Sequence, residues 1–197
     1  MTRETICITG ANRGIGLALA APFARAGHRV VATCRGGSDA DSLRRAIEPT
    51  GGSLCTLDVT EPSAPDVLAG AIRGQRLDLL IHNAGVFGGP RQALNDMDVS
   101  AWREAFEVNA IAPFRLTSAL LPALRRSSRP WVLTLSSQMG ALSRKSTGNP
   151  AYHCSKAAAA EQILSRTTAR RCCAHLSAGR RSRAVAEVAH SELLNPF

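Results

Sequence analysis

No apolar run in this chain of 197 residues reaches the ~18 residues that a membrane-spanning helix requires. The first ten residues also lack the apolar stretch of a secretory signal, and they include the acidic Glu4. These two absences predict a cytoplasmic protein that has no membrane partner.

Tyrosine and lysine are scarce. Tyr152 is the only tyrosine, and Lys145 and Lys156 are the only lysines beside 22 arginines. The chain is nevertheless 45% hydrophobic, which excludes a wholly disordered or collagen-like protein. Its length is sufficient for one domain with a sizeable core.

The cysteines form no C-x-x-C pair and no zinc-finger spacing. Without a secretory signal they are expected to be reduced thiols rather than a disulfide framework. The sequence therefore predicts no metal site. The six cysteines are Cys7, Cys34, Cys55, Cys154, Cys172 and Cys173.

The net charge of +9 is compatible with an anionic partner, such as a nucleotide or a nucleic acid. The alternative is a genome that prefers arginine codons, and composition alone does not separate the two. Because no nucleic-acid-binding motif accompanies the arginines, we expect no nucleic-acid partner.

Short apolar runs alternate with helical patterns along the first 160 residues. Strands are predicted at residues 5–9, 29–34, 54–59, 77–81 and 131–136. Helices are predicted at residues 15–26, 39–48, 64–73, 99–126 and 150–170. This alternation is typical of an α/β fold with a doubly wound parallel sheet covered on both faces. Residues 1–160 form the predicted domain, and 161–197 hold the end of the last helix and an arginine-rich tail in which we expect no strand.

A glycine-rich turn follows the first strand. Gly10 favours a tight turn, while Gly14 and Gly16 permit a pyrophosphate to approach the N-terminus of the next helix, where free N–H groups favour an anion. A plain glycine-rich turn is the alternative, but the required strand before it and helix after it are both predicted.

The second strand carries the cofactor signal. An NAD site usually has an acidic residue that binds the ribose 2′-hydroxyl, whereas here the strand is followed by Arg35 and the first acid is Asp39. Arg35 and Arg13 both suit a 2′-phosphate. NADP(H) is therefore favoured over NAD, although solvated surface arginines are the alternative.

Tyr152 precedes Lys156 by four residues, which places both on one face of a helix. A nearby ammonium lowers the pKa of a phenol, which then exchanges a proton with a carbonyl or an alcohol. A chance pair on a surface helix is the alternative. Ser136 and Ser137 lie at the end of the fifth strand, where a hydroxyl can hold a substrate oxygen. Pro113 has no N–H for the carbonyl of Asn109, which is then free to hold water beside a kink. Alternatively, Pro113 merely bends a packing helix, and both can hold.

Six segments occur in one order across residues 5 to about 160: TGANRGIG, LDVT, HNAG, VNAIAPF, SSQMG and YHCSK. Together they resemble the classical short-chain dehydrogenase/reductase family, most of all its single-domain carbonyl reductases and C-factor-like members. The resemblance implies a Rossmann-like fold. It also implies a carbonyl or alcohol substrate and assembly as a homodimer or tetramer.

The resemblance implies four catalytic roles. Tyr152 would be the acid/base, Lys156 would hold the nicotinamide ribose, Ser137 would polarise the carbonyl, and Asn109 would hold a relay water. His82, in place of the usual asparagine, is expected to be a tolerated residue at a strand end. The implied cofactor-binding residues are Gly10, Asn12, Arg13, Gly14, Ile15, Gly16, Arg35, Asp58, Val59, Asn83, Ala84, Gly85, Tyr152 and Lys156.

The resemblance fades near residue 160. Family members continue into a sixth strand that ends in Pro-Gly, then a substrate loop and usually a seventh strand, and no Pro-Gly follows Pro150 here. We expect the last one or two strands to be missing, through truncation or a frame-shift. The predicted function is an NADP(H)-dependent oxidoreductase; the alternative is a catalytically impaired nucleotide-binding remnant.

Overall fold

Buried aliphatic strands build the centre of the molecule. A computed structural model describes residues 3–72, 74–141, 148–164 and 173–176. Ile6, Ile8, Leu80 and Ile81 have no exposed surface, and each side chain of this size contributes about 1.5–3 kcal/mol by burial. The strands of the central sheet are β1 (Thr5–Ile8), β2 (Arg29–Cys34), β3 (Ser53–Thr56), β4 (Leu79–His82), β7 (Trp131–Leu135) and β8 (Cys173–Leu176).

All pairs in this sheet are parallel, and the order is β3-β2-β1-β4-β7-β8. The chain crosses over between β3 and β4, so the order reverses between β1 and β4. Ligands of open α/β sheets bind at the carboxyl ends of the strands beside such a reversal.

Helices cover both faces of the sheet, as predicted. One core cluster joins Leu19, Leu43 and Ile47 to one face. The other joins Leu68 and Leu116 to the opposite face. The helices are α1 (Gly14–Arg25), α2 (Asp41–Ile47), α3 (Ala64–Ile72), α4 (Val99–Phe106), α5 (Ala112–Leu124) and α6 (Pro150–Leu164).

Several boundaries differ from the prediction. The third strand ends at Thr56 rather than residue 59, so Asp58 and Val59 lie in the loop beyond it. Helix α2 begins at Asp41 and is followed by a short 3₁₀ turn, Glu48–Thr50. Residues 165–170 of the last predicted helix lie outside the described part of the chain.

The long predicted helix, 99–126, is interrupted. A π-helical turn, Glu107–Ile111, separates α4 from α5, and the amide of Ala112 donates to the carbonyl of Glu107, five residues back. The expected kink before Pro113 takes this form, because a π turn absorbs an irregularity that a regular helix cannot accommodate.

The expectation of no strand beyond residue 160 is wrong at one place. Strand β8 pairs in parallel with β7, from Val132 opposite Cys173 to Leu135 opposite Leu176. The sheet therefore has six strands instead of five. No seventh strand joins it within the described ranges, and the predicted tail beyond residue 176 lies outside them.

A small antiparallel hairpin was not predicted. Its strands are β5 (Gln92–Ala93) and β6 (Asp96–Met97), which lie between β4 and α4. Two-residue strands carry too little alternation to be seen in sequence.

No helix in the described ranges is both long and apolar enough to cross a membrane.

Candidate active site

A cleft of about 670 Å³ opens at the carboxyl ends of β1, β2 and β4. It lies at the reversal of strand order, where the topology places a ligand. Of the residues predicted to bind the cofactor, all but Gly16, Tyr152 and Lys156 line it: Gly10, Asn12, Arg13, Gly14, Ile15, Arg35, Asp58, Val59, Asn83, Ala84 and Gly85.

The glycine turn forms one wall of the cleft. Gly10 and Gly14 have φ angles of +65° and +53°, a backbone conformation that favours glycine. A Cβ atom on Gly10 would lie 2.9 Å from Cα of Ala84. A Cβ on Gly14 would meet nothing within 4 Å, so this surface is open to a ligand at the N-terminus of α1.

Gly16 lies beneath the turn rather than in the cleft. A Cβ there would come within 2.6 Å of the Gly10 carbonyl oxygen and 2.5 Å of Asn83 Nδ2. The Asn83 amide donates to the carbonyls of Thr9 and Gly10, at 3.0 and 2.7 Å. Gly16 therefore shapes the cradle by close packing.

The far rim of the cleft carries charge of both signs. Arg13 and Arg35 line it and are exposed, as expected for a 2′-phosphate site. Ser38 and Asp39 line it as well, although neither was predicted to bind the cofactor. The Asp39 carboxylate accepts a hydrogen bond of 3.0 Å from the backbone amide of Asp41, at the start of α2.

Asp58 is fixed by its own loop. Its carboxylate accepts both the amide and the hydroxyl of Thr60, at 2.9 and 2.7 Å. The backbone N–H of Thr60 is the main reason why the pKa of Asp58 is lowered. The carboxylate therefore stays ionised, and it faces the cleft at a fixed position.

Lys156 is a buried cation beside the cleft. It is 5% exposed, and its Nζ donates to the Leu135 carbonyl at 2.8 Å. Burial lowers its pKa from 10.5 to about 8. Nζ lies 5.8 Å from the centre of the Tyr152 ring, so the predicted pair does share one side of α6.

Gly85 lies between the cleft and Lys156. It lines the cleft, and a Cβ at Gly85 would lie 3.3 Å from Lys156 Nζ and 3.2 Å from Asn109 Oδ1. A side chain at this position would come between the cleft and the lysine.

Both serines after β7 form hydrogen bonds through their hydroxyl groups. Ser136 Oγ donates to the Lys156 carbonyl at 3.1 Å. Ser137 Oγ accepts the Met139 amide at 3.1 Å and caps a 3₁₀ turn, Gln138–Gly140. Gly140 packs so closely on α6 that a Cβ would lie 2.8 Å from the Lys156 carbonyl carbon. The strand end that carries Ser137 is thereby fixed against the helix that carries Tyr152.

Asn109 lies in the π turn and is 1% exposed. Its side chain exchanges two hydrogen bonds with the backbone of Val86, at 2.9 and 2.8 Å, and donates to Ser155 Oγ at 2.9 Å. The position of Pro113 predicts a free backbone carbonyl at Asn109. The structure adds that its side chain ties the loop after β4 to α6.

Phe87 and Gln92 belong to this site and were missed. The Phe87 ring is 48% exposed, and its centre lies 5.1 Å from that of Tyr152. Gln92 is buried and reaches the first turn of α6. Phe87 follows the predicted HNAG segment by two residues, which is the signal that could have found it.

His82 does not take part in the cleft. It is 3% exposed, and Nε2 shares a 2.7 Å hydrogen bond with the hydroxyl of Thr117. Burial lowers the pKa of His82 to about 4. Within the described ranges no group of three histidine, cysteine or acidic side chains is placed to hold a metal.

A family model described as short chain dehydrogenase matches residues 4–174. The chain belongs to the short-chain dehydrogenase family. The YHCSK and TGANRGIG segments that carried the resemblance thus lie in a chain of that family.

Solved structures of short-chain dehydrogenases resemble this one in fold. A carbonyl reductase from Pseudomonas aeruginosa PAO1 is 32% identical, with a TM-score of 0.79, over 94% of this chain and 87% of that protein. The same reductase in complex with NADP is 31% identical, with a TM-score of 0.79 and the same coverage.

Curated short-chain dehydrogenases are longer than this chain. A 1-deoxy-11-beta-hydroxypentalenate dehydrogenase from Streptomyces exfoliatus is 38% identical over 79% of this chain and 57% of its own length. A 7alpha-hydroxysteroid dehydrogenase from Escherichia coli K12 is 32% identical over 79% of this chain and 61% of its own. The chain thus spans about three fifths of the length of these relatives.

Proposed function

We propose that this protein is an NADP(H)-dependent oxidoreductase that interconverts a carbonyl and a secondary alcohol. The observation that carries the proposal is the position of Gly85. Gly85 lines the cleft, and a Cβ atom at this position would lie 3.3 Å from Nζ of the buried Lys156. The helix that carries Lys156 also carries the only tyrosine of the sequence.

The cleft fits a dinucleotide. Gly10 and Gly14 would receive the pyrophosphate at the N-terminus of α1, and Asp58 and Val59 would face the adenine. Arg13 and Arg35 would pair with a 2′-phosphate, which favours NADP(H) over NAD. The P. aeruginosa reductase with NADP bound supports this preference.

The chain's own residues would handle the proton. Tyr152 would donate it to the carbonyl oxygen during reduction and accept it during oxidation. Ser137 would hold the same oxygen as negative charge develops on it. When bound, the nicotinamide supplies or accepts the hydride.

Lys156 would serve the same step by its charge. With an Nζ 5.8 Å from the Tyr152 ring and little solvent around it, it would stabilise negative charge on the phenol oxygen. Asn109 would keep Gly85 and Ser155 in place around it.

Turnover of NADPH with a panel of aldehydes and ketones tests the proposal. We expect Tyr152→Phe to lose at least ~100-fold in kcat, since general acid catalysis contributes that much. Trp131→Phe, at an exposed strand residue, is the control and should retain activity. NADPH binding with no turnover by the unaltered chain would instead favour the impaired nucleotide-binding remnant.

Cofactor preference is tested separately. Arg35→Ala should raise the KM for NADPH by roughly tenfold and leave that for NADH within about twofold, because a charged hydrogen bond contributes about 1.5–3 kcal/mol. Equal changes for the two cofactors would contradict a 2′-phosphate role.

A further inference from the structure

Gln92 has a buried side chain with a complete set of partners outside the catalytic residues. It is 7% exposed. Its Nε2 donates to the carbonyls of Phe87 and Gly89, at 3.0 and 2.8 Å. Its Oε1 accepts the amide of Ala151 at 3.1 Å. This pattern of two acceptors and one donor fits only one orientation of the amide.

The first two bonds fix the loop that carries Phe87. Gly88 and Gly89 have φ angles of +90° and +75°. A Cβ on Gly88 would lie 2.8 Å from that of Ala151, so the loop lies directly on the start of α6. The Phe87 ring lies at 5.1 Å and 32° to the Tyr152 ring, as a wall beside the phenol.

The third bond fixes α6 at its first turn. The helix begins at Pro150, and the amide of Ala151 is one of the first N–H groups that have no partner within a helix. Gln92 supplies the missing acceptor from 59 residues away. Tyr152 is the next residue, so this contact holds the helix backbone one residue before it.

Gln92 is held in place by the β5–β6 hairpin that carries it. It pairs with Met97 across the β5–β6 hairpin. The neighbouring Arg91 forms ion pairs with Asp96 and Asp98, at 3.2 and 3.4 Å, and its carbonyl accepts the Asp98 amide. The hairpin thereby orients the glutamine from outside the helix that it holds.

We propose that Gln92 is a positioning residue for the acid/base: it sets the position of Tyr152 against the Phe87 ring. The proposal rests on the proposed function for its effect on turnover, but the anchoring of Tyr152 is independent of it. Gln92 touches no reacting atom and acts only through Phe87 and Ala151.

Two variants and one control test the role. Gln92→Ala should lower kcat roughly tenfold, since small misplacement of a catalytic group has effects of this size or larger. The Kd for NADPH should remain within about twofold, because Gln92 lies outside the cleft. Gln75→Ala, at an exposed glutamine, should change neither.

Gln92→Glu gives a readout that a merely structural role would not move. A protonated carboxyl still accepts from Ala151 and donates to one carbonyl, whereas the carboxylate faces two carbonyl oxygens. The ratio of its kcat to that of the unaltered enzyme should therefore fall as pH rises from about 5 to 8, because burial moves the titration of a carboxyl into this range.

The single tyrosine permits a measurement without turnover. Protein labelled with 3-fluorotyrosine has one ¹⁹F resonance, that of Tyr152. Gln92→Ala should shift or broaden it, and Gln75→Ala should not. An unchanged resonance in Gln92→Ala overturns the anchoring of Tyr152. The proposal is also overturned if the kcat of Gln92→Ala stays within twofold of that of the control and the kcat ratio of Gln92→Glu does not change with pH. A changed resonance in a chain that shows no turnover would uphold the anchoring while the proposed function fails.

Discussion

Lys156 shows how one residue combines a functional gain with a cost in stability. Its ammonium is buried, with one carbonyl partner at 2.8 Å, and burial lowers its pKa to about 8. A charge in this setting is useful beside a phenol that must carry negative charge, but it is expensive to bury. We therefore expect activity and stability to respond in opposite directions at this position.

Lys156→Met should abolish turnover and raise the free energy of unfolding at pH 7 by about 1–2 kcal/mol. The folded-state pKa of about 8 lies below the ordinary 10.5. The cost of burial is therefore fully present below pH 8 and disappears as pH rises towards 10.5. Urea unfolding at pH 7 and pH 10 measures both points. A variant less stable than the parent at pH 7 would show that the bond to Leu135 outweighs burial.

His82 is a second buried titratable residue, and it has no part in the proposed chemistry. Its folded-state pKa of about 4 lies below the ordinary 6.5 because burial disfavours its charge. As pH falls, the imidazole of the unfolded chain therefore binds a proton at a higher pH than that of the folded protein. Stability from neutral His82 is complete above pH 6.5 and is lost as pH falls towards 4.

His82→Asn should remove this acid sensitivity. The parent should lose up to about 3 kcal/mol of unfolding free energy from His82 between pH 7 and pH 4, and the variant should lose that much less. Urea unfolding of both proteins across this range gives the difference. Parallel pH curves would contradict a buried neutral imidazole.

Among the elements, the π turn connects the two ends of the site. Its Asn109 holds the Val86 backbone near Gly85. Its Glu107 pairs at 3.2 Å with Arg115, which in turn donates to the carbonyls of Thr60, Glu61 and Pro62. The loop of Asp58 and Val59 is therefore tied to the same turn that holds the backbone beside Lys156.

Arg115→Met should loosen that loop and raise the Kd for NADPH by roughly 3–10-fold, because an unordered loop must then be ordered on binding. The kcat at saturating NADPH should be unchanged. Arg125→Met, at an exposed arginine, is the control. Fluorescence titration with NADPH measures the Kd, and equal Kd values in the two variants would contradict the account.

The elements also show where sequence reasoning succeeds. The strands around Ile6 and Val31 are short, apolar and flanked by turns, and they were predicted to within a residue. Pro113 indicated a disturbance in the long helix but not the π turn. The Gln92 hairpin and strand β8 were missed because their residues lack alternation, and β8 lies in a segment rich in arginine and cysteine. Contacts across 59 residues, such as that of Gln92 with Ala151, are set by tertiary packing alone.

At the scale of the whole molecule, an exposed apolar stripe runs along the end of the π turn and α5 in the described part of the chain. Ile111, Phe114 and Leu121 are 41%, 40% and 36% exposed, at helical spacing. We propose that this stripe is a contact between two copies of the chain, in the homodimer or tetramer that the family resemblance implies.

Ile111→Glu with Leu121→Glu should convert a dimer to a monomer in sedimentation velocity, because two buried charges would face each other across the contact. Leu94→Glu, at the fully exposed hairpin tip, should leave the dimer intact. A parent that sediments as a monomer would contradict the inference.

Hydride transfer supported by Tyr152 is tested most directly by isotope transfer. The protein is incubated with [4,4-²H₂]NADPH, in which both hydrogens at C4 are deuterium, and a ketone from the panel, and the product alcohol is analysed by mass spectrometry. The account predicts one deuterium at the carbinol carbon with the unaltered chain. It predicts at least ~100-fold slower labelling with Tyr152→Phe, although that variant still binds NADPH. Labelling at equal rates by the two proteins, or binding of NADPH without any labelled alcohol, would contradict it.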